Sequence, residues 1–242
     1  MKVRLDQTVV LRGLTTTRSQ AESWIRLGKV IVNGKAQTKP GFAVSEDDHI
    51  ELKASEQYVS RAGLKLASVA KKLGIQFGNK IVLDVGSSTG GFTDYALQHG
   101  AQKVIAVELG KDQLHPTLRG NERIELHEQT DIRDISALSS RPDIVVIDVS
   151  FVSLRDILPH VASLVTPQTQ IVAMVKPQFE AAASKLKHKG VIKNDRMRRE
   201  ILKGFEDWAK EKFVIIAKAD SEVAGAKGNL ERFYQLGINK IR

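Results

Sequence analysis

Near the start of the chain, apolar Ala21, Trp24 and Ile25 recur at helical spacing behind Thr17 and Gln20, which read as a capping box. Gly28 terminates that helix. A strand is expected at 30–32, then the turn pair Asn33-Gly34, then a further strand at 49–52 behind the acidic turn Glu46-Asp47-Asp48. Two short helices and a small hairpin sheet make a weak core, so residues 1–54 read as a compact module attached to something larger. Residues 55–60 form a polar joint, and 61–242 form the second unit.

That unit begins with a helix in which Leu66, Val69, Ala70 and Leu73 share one face while Lys65, Ser68 and Lys72 share another. Strand-like runs at 81–85, 103–107, 123–126, 144–148 and 171–176 then alternate with helical patterns. Their spacing predicts βαβ units and a parallel sheet covered on both faces. A helix over about 195–210, with Met197, Ile201, Phe205 and Trp208 on one face, precedes an edge hairpin at 213–217 and 232–237. The fold class is α/β: a Rossmann-like, mostly parallel sheet with an antiparallel edge hairpin, preceded by a small α+β module.

In such a sheet the residue closing each strand faces the ligand. The segment VLDVGSSTGGFTD (82–94) places Asp84 before a Gly-rich turn at 86–91, followed by a helix start. The spacing Gly86-x-x-x-Gly90-Gly91 fits a dinucleotide-binding loop poorly. It resembles the first motif of class I methyltransferases that use S-adenosylmethionine (SAM), although a purely structural turn remains an alternative for the motif in isolation. Glu108 closes the second strand, where a carboxylate suits both hydroxyls of an adenosine ribose. Asp131 follows the third strand, as an acceptor for an adenine amino group or as a helix N-cap. Asp148 ends the fourth strand and Lys176 the fifth; a lysine there needs a carboxylate partner, for which Asp148 is the candidate, unless it snorkels to water.

The 242 residues include 42% hydrophobic ones, enough for a sizeable core, and no membrane-length apolar stretch. The charged N-terminus lacks a signal-peptide core, so a soluble, cytoplasmic protein is expected. Cys is absent, which excludes disulfides, thiolate metal sites and the Cys-adduct route to pyrimidine carbon 5. The His residues show no metal-binding spacing, and no metal is expected. The net charge of +9 favours a polyanionic partner, usually nucleic acid. Between Lys185 and Arg199 the cations Lys185, Lys187, Lys189, Lys193, Arg196, Arg198 and Arg199 face one acid, Asp195: a solvated face or a phosphate-holding one.

Two resemblances organise these features. Residues 4–52 are similar throughout to the S4 RNA-binding domain, through Arg4-Leu5-Asp6, Arg12-Gly13-Leu14, Arg18 with Ala21, and Gly28-x-Val30-x-Val32-Asn33-Gly34. That resemblance implies RNA contacts from Arg4, Arg12, Arg18, Arg26, Lys29 and Lys35, Arg12 and Arg18 foremost; Lys189 and Lys193 belong with them by charge. Nearly the whole chain resembles the FtsJ-like ribose 2′-O-methyltransferases, more closely the hemolysin-A or TlyA branch. The carriers are YVSRAGLKL (58–66), the 82–94 motif, AVELGKDQL (106–114), DIVVIDVSFVSL (143–154), MVKPQFE (174–180), GVIKN (190–194) and GNLERFYQL (228–236).

This resemblance implies a catalytic set of Lys65, Asp148, Lys176 and Glu231. It implies a SAM site built from Asp84, Gly86, Ser88, Gly90, Gly91, Phe92, Glu108, Leu109, Asp131, Ile132 and Asp148. The implied substrate is ribosomal RNA, free or within a ribosomal subunit. Three departures stand out: Ala62 for a usual Gly, Lys111-Asp112 for Tyr-Gly, and Glu108 for the commoner Asp. Lys111-Asp112 puts the wall of the SAM pocket in question and is the one support for an RNA-binding protein without catalysis. A membrane-active hemolysin is the third reading, opposed by a mean hydropathy of -0.20.

Overall fold

The computed structural model describes residues 2–15, 17–53, 58–181, 190–192, 194–225 and 228–239. In the N-terminal unit the chain runs β1 (Val3–Arg4), α1 (Leu5–Leu11), α2 (Arg18–Arg26), β2 (Val30–Val32), β3 (Lys35–Gln37), β4 (Ala43–Val44) and β5 (Ile50–Leu52). The Thr17 hydroxyl accepts the Gln20 N–H at 3.2 Å, and the chain leaves α2 through Gly28 at φ 68°. Asn33 and Gly34 both take the left-handed conformation that a two-residue hairpin turn demands. Asn33 also ties the hairpin to the acidic turn: its amide donates to Asp48 and its oxygen accepts the His49 N–H, both at 2.8 Å.

Leu5, Val9, Ala21, Ile25, Val30 and Val44 are buried here, but they do not close a core of their own. The cluster continues through Tyr58, Leu64 and Leu66 into one flank of the large sheet. The Gln20 amide reinforces this junction by donating to the Tyr58 carbonyl at 2.7 Å. A module too small to bury enough apolar surface alone thus borrows its neighbour's.

The second unit runs α3 (Arg61–Ala70), β6 (Ile81–Val85), α4 (Gly91–Gln98), β7 (Lys103–Val107), β8 (Ile124–His127), β9 (Ile144–Ile147) and α5 (Leu154–Leu164). It ends with β10 (Gln170–Val175), α6 (Pro177–Glu180), α7 (Asp195–Lys212), β11 (Phe213–Asp220) and β12 (Arg232–Ile238). The seven-stranded sheet has the order β11-β12-β10-β9-β6-β7-β8. The strands from β10 to β8 are parallel, and β12 and β11 form the antiparallel edge. Strand side chains alternate between two cores: Ile144 and Val146 join α3 and α4, while Val145 and Ile147 join α5 and α7. The order reverses around β6 and β9, which opens a crevice at their carboxyl ends.

The expected βαβ regularity fails on one side of the sheet. Between β7 and β8 the chain forms turns, and between β8 and β9 a single short 3-10 turn, Ile132–Asp134. The Glu128 carboxylate accepts the N–H groups of Asp112, Gln113 and Leu114 at 3.1, 2.8 and 3.3 Å. It thereby satisfies backbone donors that a helix would otherwise pair, and Pro116 and Gly120 interrupt any helical run. The strands holding Asp148 and Lys176 also end one residue early, so both side chains stand just beyond the sheet.

Candidate functional site

β6 delivers Asp84 into the crevice wholly buried. Thr93 donates to its Oδ2 at 2.6 Å, whereas Oδ1 has no hydrogen-bond partner among the described residues. Burial pushes this carboxyl up to about 7; the Thr93 bond opposes the rise, and the charges of Asp148 and Glu108 add to it. The chain then turns at Gly86 with φ 80°, where a Cβ would lie 2.8 Å from the Asp148 carbonyl. At Gly91 a Cβ would lie 2.3 Å from the Ser60 hydroxyl, so glycine lets α4 press against α3.

Two hollows flank this turn. The smaller, about 200 Å³, is lined by Arg61, Lys65, Asp84, Ser87, Phe92 and Asp148 among others. The hydroxyls of Ser60 and Ser87 are buried and without partners among the described residues. The larger cleft, about 740 Å³, is lined by Gly86, Ser88, Glu108, Leu109, Asp131 and Ile132, with Asp148 and Phe151 on the far side. Glu108 joins its two walls, accepting the Ser88 N–H at 2.9 Å and the Gly110 N–H at 2.6 Å. Gly90 and Gly91 line neither hollow and act through the packing of α4.

Asp131 caps the 3-10 turn and also lines the large cleft. Its carboxylate accepts the Arg133 N–H at 2.9 Å and pairs with the Arg133 guanidinium at 2.6 Å, which holds it below the usual carboxylate range. Lys111 and Asp112 are exposed and line neither hollow, so the wall they put in question is made by Leu109 and Gly110 instead.

Two lysine–carboxylate pairs meet at the same place. Lys176 Nζ lies 2.5 Å from Asp148 Oδ1 and donates to the Ser150 hydroxyl at 2.7 Å. Lys65 Nζ lies 2.5 Å from Glu231 Oε2, both buried. The helix face on which the sequence placed Lys65 is therefore not open to solvent at this residue. The loop before β12 covers that face: Glu222 pairs with Lys72 at 2.5 Å and its N–H reaches the Ser68 hydroxyl. Buried charge demands such a partner, because removing one member strands the other in low dielectric.

The profile of the FtsJ-like methyltransferase family matches residues 58–238, and that of the S4 domain matches residues 3–50. The chain belongs to the FtsJ-like methyltransferase family, with an S4 domain ahead of it. Among its relatives, Hemolysin A of Brachyspira hyodysenteriae is 38% identical over 233 residues, covering 95% of this chain and 97% of that protein. The 16S/23S rRNA (cytidine-2'-O)-methyltransferase TlyA of Mycobacterium tuberculosis is 33% identical over 240 residues, covering 97% and 90%. A solved Streptococcus thermophilus structure, provisionally described as a hemolysin, superposes with a TM-score of 0.72 at 34% identity, covering 99% and 89%. Family and fold together imply SAM as cofactor.

Within the S4 domain, three of the arginines singled out from sequence, Arg4, Arg12 and Arg18, are engaged internally. Arg4 and Arg18 both pair at 2.9 Å with Asp6, which is fully buried. Arg12 donates to the carbonyls of Asp48 and Glu46 at 2.7 and 2.8 Å, bracing the acidic turn. By contrast, the exposed side chains of Arg26, Lys29 and Lys35 have no hydrogen bond or ion pair among the described residues. Lys189 and Lys193 lie outside the described residues.

Sequence reasoning missed two residues. Phe151 stands 92% exposed at the rim of the large cleft, at φ 65°, its ring 5.2 Å from Phe179. A left-handed backbone at a bulky residue carries strain, which the surrounding structure must hold. Glu180 is buried, and it accepts the Leu154 N–H and the Ser153 hydroxyl, each at 2.7 Å. It fastens the segment after Lys176 to the one after Phe151. Nothing in local periodicity signals either role, although the MVKPQFE motif contains Glu180.

Proposed function

We propose that this protein transfers a methyl group from SAM to a ribose 2′-hydroxyl of ribosomal RNA. The observation that carries this reading is the meeting of the pairs Lys176–Asp148 and Lys65–Glu231 beside the crevice into which Asp84 projects. The buried, half-partnered Asp84 carboxylate, the glycine cradle at 86 and the adjoining cleft fit a cationic ligand with a nucleoside end. Asp84, the turn 86–88, Phe92, Glu108, Leu109 and Ile132 would hold SAM. When bound, SAM supplies an electrophilic methyl group.

The residues of the chain then perform two tasks. They place the ribose hydroxyl in line with the methyl group, and they take up one proton, because a neutral hydroxyl is a poor nucleophile. Lys176 in its neutral amine form accepts that proton and becomes an ammonium, Asp148 and Ser150 fix its Nζ, and Asp148 balances the charge on it and beside the methyl group. Lys65 and Glu231 form the second wall and set the charge around Lys176. Exposed Phe151, at the rim, offers a face on which a base can stack.

The S4 domain supplies affinity for RNA, with Arg26, Lys29 and Lys35 as its free cations. The unit limits we assign are 1–54, 55–60 and 61–242. A ribosomal substrate places the reaction in the cytoplasm. The non-catalytic alternative loses its support once Lys111 and Asp112 stand clear of the cleft. Among the described residues no helix is long and apolar enough to cross a membrane, so a lytic activity has no spanning segment there.

Calorimetry tests the cofactor assignment. Glu108→Ala leaves the Ser88 and Gly110 N–H groups without their carboxylate, and SAM affinity is expected to fall at least about tenfold, on the scale of a charged hydrogen bond. Unchanged affinity would take Glu108 out of the pocket. Binding of NADH with no binding of SAM would overturn the cofactor itself.

A further inference from the structure

Between the S4 domain and the methyltransferase unit lies a groove of about 290 Å³, lined by Glu22, Ser23, Arg26, Arg61, Glu222 and Gly225 among others. α2 forms one bank, and the start of α3 with the loop before β12 forms the other. Arg61 also lines the small hollow that holds Lys65, Asp84 and Asp148. The groove therefore adjoins the catalytic hollow across a single side chain.

The charges in the groove are unequal in what they have left to give. Glu22 is paired with Arg18 at 3.6 Å, and Glu222 with Lys72 at 2.5 Å, both cations lying outside the lining. Arg26 and Arg61 make no hydrogen bond or ion pair among the described residues. The acids are neutralised and the two guanidinium groups are not. The groove thus presents two unspent, planar donor forks, a geometry suited to phosphate oxygens. This contrasts with Arg4 and Arg12, whose forks are engaged within the domain, and with Arg18, whose Nε is held by Asp6.

We propose that this groove carries the phosphodiester backbone of the RNA between the S4 domain and the reacting ribose, with Arg26 and Arg61 each holding a phosphate. The proposal rests on the reading of the chain as an RNA methyltransferase, and it assigns Arg61 a new part in that reaction, guiding the strand into the hollow of Lys65 and Asp148. The other anion within reach of Arg61 is the carboxylate end of the cofactor, since Arg61 lines that hollow too.

The test uses full-length protein with Arg26→Gln, Arg61→Gln and the double substitution, and a fluorescein-labelled, unmodified ribosomal RNA transcript titrated over a range of salt. Each single substitution is expected to raise the Kd for the transcript roughly three- to tenfold and to lower the magnitude of the salt slope by about 0.7. The double substitution should approach the sum of both slope changes, and Arg61→Lys should recover part of the loss, since it keeps charge and loses the fork. SAM affinity, measured by calorimetry on the same samples, should stay within about twofold of the wild type, less than the loss of one charged hydrogen bond. Transcript binding equal to wild type in both single variants overturns the proposal. So does weaker SAM binding by Arg61→Gln with RNA binding intact, which gives Arg61 to the cofactor. Binding is read without turnover, so a wild-type protein inactive toward the transcript would contradict the reaction and not the groove.

Discussion

Lys176→Ala is expected to keep the fold and most of the affinity for SAM while lowering methyl transfer by roughly 10²-fold or more, the usual scale for a lost general base. The Lys176 Nζ lies beyond the end of β10, beside Asp148 and Ser150, and it lines neither hollow, so its removal leaves the cofactor contacts standing. The Asp148 Oδ1 that Lys176 holds is buried, so some loss of stability is expected alongside the loss of rate. Lys176→Arg should rescue little, because a guanidinium remains protonated and cannot accept the proton. Single-turnover rates with saturating SAM check this directly. Near-normal turnover in the arginine variant would reduce Lys176 to a charge and pass the base role to Lys65 or solvent.

The second large effect concerns Asp84 and carries a sign in pH. Burial raises this carboxyl from an ordinary value of 3.8 to about 7, so between those limits the folded chain holds a proton that the unfolded chain has released. Stability of the ligand-free protein therefore falls as pH rises through that window, by at most about 4 kcal/mol from this group. Asp84→Asn removes the dependence. It should match the wild type in thermal unfolding near pH 4 and exceed it near pH 8. SAM affinity should move the opposite way. A cationic ligand favours the ionised carboxylate, so wild-type binding tightens as pH rises through about 7, and the Asn variant binds weakly without that dependence. Parallel unfolding profiles for the two proteins from pH 4 to 8 would show that Asp84 is not a buried, proton-holding group.

Much of this was legible in the chain because the signals were local or periodic. The apolar runs of β6, β7, β9 and β10 give buried parallel strands, and Asn33-Gly34 gives the hairpin. The pairing of Lys176 with Asp148 followed from one physical demand, that an ammonium at the end of a buried strand needs a carboxylate. What escaped was set by distant partners. Glu128 replaced an expected crossover helix by gathering three backbone N–H groups, and no spacing near Lys111 announces it. Lys65 keeps its polar helix face but is buried and paired there, because a loop far along the chain covers that face. Arg12 and Arg18 stand out by motif and charge, and the fold adds partners within their own domain: Arg12 donates to the Asp48 carbonyl, and Arg18 Nε pairs with Asp6. Charge is visible in a sequence, whereas its availability depends on neighbours that only the fold supplies.

The central claim, methyl transfer to a ribose hydroxyl, is tested most directly by incubating the protein with methyl-labelled SAM and unmodified ribosomal RNA, then hydrolysing the product in alkali. A ribose 2′-methyl removes the hydroxyl that cleaves the neighbouring phosphodiester. The account predicts label in alkali-resistant dinucleotides with wild-type protein, and about 10²-fold less with Lys176→Ala. Label confined to mononucleotides would place the methyl group on a base and contradict the account.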